Sequence, residues 1–163
     1  MLSLSSDDAR IVYLATIYHL GRPGAELASQ GDGVDGLEGG LGLRSVHDAL
    51  LPALGRPRVD IDLSAYQLGR LGEALLGVSN ELRTYGMVEG RSAVPLFSET
   101  MAWLYPETVE EPGSALDLVE RTVMLRRRLN RTIEQATAEV EAARAAETAR
   151  TRAERRWWQV WRR

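Results

Sequence analysis

Few residues in this chain have types and spacing that could do chemistry, and a plainer reading competes for each of them. GDGVDG at residues 31–36 has the glycine spacing G-x-G-x-x-G of a dinucleotide-binding turn. Such a turn holds a pyrophosphate between a strand and a helix N-terminus. The preceding AELASQ does not read as a strand, and Asp32 and Asp35 would repel phosphate, so the stretch reads as a loop. Asp32, Asp35 and Glu38 also lack the alternating oxygen donors and closing glutamate of a calcium loop. Asp60 and Asp62 form a D-x-D pair that could hold a divalent ion, but outward side chains of a short extended segment account for them equally.

His19 and His47 each sit in an apolar pattern without a second ligand nearby, a setting commoner for hydrogen-bonded histidines than for metal ligands or bases. No nucleophile elbow or S-x-x-K occurs, and the chain has neither lysine nor cysteine. That removes a Schiff base, a phosphate-loop lysine, a thiol nucleophile, disulfides and thiolate metal sites. The expectation is a non-catalytic protein with no metal and no cofactor.

The remaining chemistry is that of adhesion. The chain closes on RRWWQVWRR, which holds three of its four tryptophans. On a helix advancing about 100° per residue, Trp157, Trp158, Val160 and Trp161 fall on one side. Arg155, Arg156, Arg162 and Arg163 fall on the other. A buried indole removes roughly 150–250 Å² from water, so three left uncovered forfeit several kcal/mol. These eight residues are the candidate partner-binding site. Three occupants suit them, in this order: a protein surface, an anionic membrane interface, and single-stranded nucleic acid. Arg126, Arg127, Arg128 and Arg131 form a second basic cluster, read as a solvated face meeting acidic residues rather than nucleic-acid phosphate.

The charge distribution supports that order. The net charge of −3 divides into 18 acidic and 8 basic residues over 1–120, against 5 acidic and 12 basic over 121–163. An acidic body resists lipid and nucleic-acid phosphate and invites its own basic end, or that of a second copy. A homo-oligomer is therefore expected.

The elements that must carry these groups read as helices. SSDD at 5–8 supplies a cap and first-turn acids for a helix that ends at Gly21 and, over 11–20, is apolar on nearly every side, as in the middle of a bundle. Residues 21–42 hold 8 of the 15 glycines and read as a loop. A short helix over 44–54 presents Val46, Leu50 and Leu54 to one side before Gly55 and Pro57 stop it. RVDIDL at 58–63 alternates like a strand but shows no partner. S-A-Y-Q at 64–67 is a capping box for a helix with Leu68, Leu71, Leu75, Val78, Leu82 and Tyr85 on one stripe. Gly69, Gly72 and Gly77 within it imply close approach of another helix.

Pro95 and Pro106 bracket a helix directing Val94, Phe97, Met101 and Leu104 inward. After the acidic loop ETVEEPGS, Ser114 caps the longest helix, whose seam runs Leu118, Thr122, Leu125, Leu129, Ile133, Ala136, Val140 and Ala143. The seam then meets Glu147, Arg150 and Glu154.

The fold expected is all-α, a compact bundle of about five helices with a long projecting C-terminal helix. Its parts are an acidic helical domain at 1–112, a packed long helix at 113–146 and a basic arm at 147–163. No apolar run reaches the roughly 18 residues of a membrane span, and MLSLSSDDAR lacks the pattern of a signal peptide. A cytoplasmic location follows as an expectation, with peripheral membrane association through the arm as the alternative.

Overall fold

In the computed structural model the described residues are all except 22–41, Glu89 and 161–163, and for 152–160 the backbone alone is described. The fold is all-α. The helices are α1 (Ser6–Gly21), α2 (Leu43–Leu50), α3 (Ala65–Met87), α4 (Pro95–Leu104), α5 (Glu107–Glu110) and α6 (Ala115–Val160). By contacts the chain divides into two units, Met1–Leu129 and Asn130–Arg163.

Within the first unit α1 is the central element. Ser5 caps it by accepting from the Asp8 N–H at 3.2 Å. Ala9 and every residue from Ile11 to Ile17 are buried, and α2, α3 and α4 all pack against it. That all-round burial matches its unbroken apolar sequence. The stripe of α3 is buried from Leu71 to Tyr85, while Leu68 is only partly covered. Val94, Phe97, Met101 and Leu104 all face the core. Phe97 lies at its centre, edge-on to Tyr18 (6.1 Å) and Tyr85 (6.3 Å).

The first four residues of RVDIDL do form a strand, and their partner is a segment near the start of the sequence. β1 (Leu2–Ser5) pairs antiparallel with β2 (Arg58–Ile61), Leu2 opposite Ile61 and Leu4 opposite Val59. Both strands alternate, so these four apolar residues share the buried face. LSLS is too short to stand out as a strand beside the cap residues that follow it.

Two more local readings are corrected. The second helix is α-helical only to Leu50, because Pro52 has no N–H to donate back along the helix; a 3-10 turn, Leu51–Ala53, takes over. That turn buries Ala53 and leaves Leu54 partly exposed. ETVEEPGS is not plain loop: it contains α5 and a 3-10 turn, Pro112–Ser114, and the Ser114 hydroxyl donates backwards to Glu111 O at 2.7 Å.

The capping box is present in full: Gln67 N–H donates to Ser64 Oγ (3.1 Å) and Ser64 N–H to Gln67 Oε1 (2.9 Å). The Gln67 amide also donates to Ser45 Oγ at 2.9 Å, which ties α3 to α2.

The glycines of α3 differ in their surroundings. A Cβ at Gly77 would lie 2.4 Å from Tyr18 Cε1, whereas one at Gly69 would meet nothing within 4 Å among the described residues. Gly77→Ala is expected to destabilise the protein by roughly 1–3 kcal/mol through overpacking against α1. Gly69→Ala is expected to stabilise it by about 1 kcal/mol through helix propensity. Urea unfolding of the two variants checks the opposite signs.

Candidate interaction surface

Along α6 the apolar seam is buried at Leu118, Thr122, Leu125 and Leu129. The side of α6 flanking this seam is pinned by arginines. Arg121 reaches Asp7 at 3.0 Å and Arg128 reaches Asp8 at 2.7 Å. Arg126 Nε donates to the Gly72 carbonyl at 3.1 Å. The first-turn acids of α1 thus serve its dipole and hold α6 as well. Both ion pairs are substantially exposed, so their contribution is orientation more than stability. Part of the second basic cluster is in this way spent on the acidic first unit, while Arg127 and Arg131 are exposed.

The second unit differs in kind. From Asn130 to Thr151 every side chain except the partly covered Ile133 is exposed. The seam was expected to stay buried to Ala143, yet Ala136, Val140 and Ala143 are uncovered, Val140 being 51 % exposed. Leucine gives way there to alanine and valine, which have less apolar area to bury. The helix is maintained by alanine, glutamate and arginine, with Glu141 and Arg144, and Glu147 and Arg150, at the supportive three-residue spacing.

Of the eight arm residues, Arg155, Arg156, Trp157, Trp158 and Val160 lie on helical backbone. Their side chains, and Trp161, Arg162 and Arg163 altogether, lie outside the described residues, as does GDGVDG.

Asp60 and Asp62 engage separate partners. Asp60 is held by Ser3 and Arg58, whose hydrogen bonds keep its carboxyl below the usual carboxylate range. Asp62 lies 3.3 Å from the Met1 amino group. Both border a groove of about 550 Å³ between α2 and β2, in which the Gln67 amide is already engaged with Ser45. Among the described residues no three potential ligands cluster as a metal site would require.

One polar constellation escaped the sequence. Asp48 Oδ1 lies 2.9 Å from His47 Nδ1, and His47 Nε2 lies 3.1 Å from the Tyr13 hydroxyl. The Tyr13 ring also stacks on His47 (4.9 Å) and meets Trp103 edge-on (5.9 Å). Burial, with the nearby Asp48 charge, pushes the Tyr13 phenol up from its ordinary value. The phenol therefore stays protonated; an imidazole carrying its proton on Nδ1 would donate to Asp48 and accept from the phenol at Nε2. That polarity is the reverse of an activated phenolate, and the chain of bonds fastens α1 to α2. Adjacency of His47 and Asp48 was a visible hint; Tyr13 is too far away in sequence for spacing to reveal it. Burial likewise lifts the Tyr105 phenol far above the tyrosine range.

No family model matches the chain, and comparisons with curated proteins and with solved structures yield no match.

Proposed function

We propose that this chain is a non-catalytic interaction and assembly module that docks through its C-terminal helix and basic, tryptophan-rich arm. The observation that carries this reading is the change in α6 after Leu129, where a buried seam becomes an exposed helix that still bears apolar residues. Isolated helices are marginal in water, and most of their stability comes from packing one face. The sequence of the arm extends that helix toward residues suited to burial, with arginines suited to acidic protein surfaces.

No helix among the described residues is long and apolar enough to cross a membrane. An anionic membrane surface is the alternative occupant of the arm, weighed down by the acidic first unit.

Indole emission tests the proposal. Trp103 is 59 % exposed and supplies a constant red-shifted background once Trp157, Trp158 and Trp161 are changed to alanine. The full chain is expected to emit further to the blue than this variant and to shift red on dilution as the partner dissociates. An emission unchanged by dilution and as red as that of Trp103 would exclude docking through the arm. A blue shift only on adding anionic vesicles would transfer the arm to the membrane alternative.

A further inference from the structure

We infer that the second unit pairs antiparallel with the same segment of a second copy, Glu147 of each opposite Arg150 of the other; this rests on the interaction reading above. The exposed residues Ala136, Val140, Ala143, Glu147 and Arg150 recur at alternating steps of three and four, the spacing of a two-helix seam. The same spacing continues in the sequence through Glu154, Trp157 and Trp161. A seam interrupted by glutamate, arginine and glutamate discriminates strongly among ways of pairing.

Parallel pairing in register sets Glu147 on Glu147, Arg150 on Arg150 and the arginine-rich ends side by side, so every charged layer is repulsive. An antiparallel register matching the apolar stretch to itself, Ile133 with Ala143 and Ala136 with Val140, brings Glu134, Glu139 and Glu141 of both copies together. It also leaves the tryptophans uncovered.

One antiparallel register avoids the repulsion and gives two of the three tryptophans an apolar partner, with its twofold axis between Thr148 and Ala149. Glu147 then faces Arg150, and Ala143 faces Glu154. Val140 then shares a register position with Trp157 and Ala136 with Trp161, which in the sequence sets small residues opposite large ones. The acidic stretch with Glu134, Glu139 and Glu141 runs beside the other copy's Arg155, Arg156, Arg162 and Arg163. Central ion pairs fix register and orientation at some cost in stability, the role polar residues take in helical seams. Residues 130–160 offer about 45 Å of helix for the pairing.

The chain has no native cysteine, so single-cysteine variants report geometry directly. Val140→Cys and Trp157→Cys are oxidised separately and mixed, at a concentration where the unaltered chain is dimeric by mass. Ala143→Cys and Glu154→Cys form a second pair that spares the tryptophans. Disulfide dimers are expected in each mixture, as the major species, and only as traces in the single variants. Dimers from each variant alone would mean parallel pairing and overturn the inference. Absence of cross-links in both pairs, with the unaltered chain still dimeric, would overturn this geometry but leave assembly standing. An unaltered chain that is monomeric throughout would overturn self-pairing, and arm binding to another surface would then be tested by the emission experiment.

Discussion

Alanine in place of Phe97 is expected to lower the stability of the first unit by about 3–5 kcal/mol, the range for removing a buried aromatic ring. Phe97 is fully buried on α4, and its ring meets Tyr18 of α1 and Tyr85 of α3 edge-on. These three helices meet at this ring, so its loss opens a cavity that no single helix can close by shifting. Edge-to-face contacts add to the burial. At a urea dependence of roughly 1–3 kcal/mol per molar, the unfolding midpoint falls by at least about 1 M. Loss of helical circular dichroism follows the transition. A midpoint within a few tenths molar of the parent would mean that Phe97 is not at the centre of the core.

The second large effect contrasts two positions on one helix. Leu125 is 3 % exposed and Val140 is 51 % exposed, although both lie on the seam read from the sequence. Leu125→Asp forces a carboxylate into the core of the first unit and is expected to cost more than about 4 kcal/mol, or to prevent folding. Val140→Asp is expected to leave the unfolding midpoint of the monomer within about 0.5 kcal/mol of the parent, while dissociating the paired form. Equal losses of stability at both positions would show that the seam stays buried beyond Leu129.

The sequence made the helical skeleton legible where local physics acts alone. Charge-free Ile11–Leu20 marked α1 as central, Ser64 and Gln67 opened α3, and Pro95 and Pro106 bracketed α4. It fell short where a partner distant along the chain decides. β2 is stabilised by β1, which lies in the first five residues. His47 finds Tyr13 on another helix. Gly77 faces the Tyr18 ring while Gly69, in the same helix, has no described residue within 4 Å of where its Cβ would be. Periodicity also overran burial along α6, because a stripe of alanine and valine has the same spacing as one of leucine and much less area to cover. The arm was conspicuous in the sequence because segregation of tryptophan from arginine is a property of the chain itself. Spacing alone does not name the surface that covers it; the proposal that this is a second copy rests on spacing together with charge.

The molecular mass in solution of the full chain, measured beside a chain ending at Arg152, tests that claim most directly. The full chain is expected at twice its 18.1 kDa, shifting toward monomer as salt screens the charge pairing. The shortened chain, without the three arm tryptophans and four of the arginines, is expected to stay monomeric at the same concentration. A monomer in both, or an equally stable dimer in both, would contradict assembly through the arm.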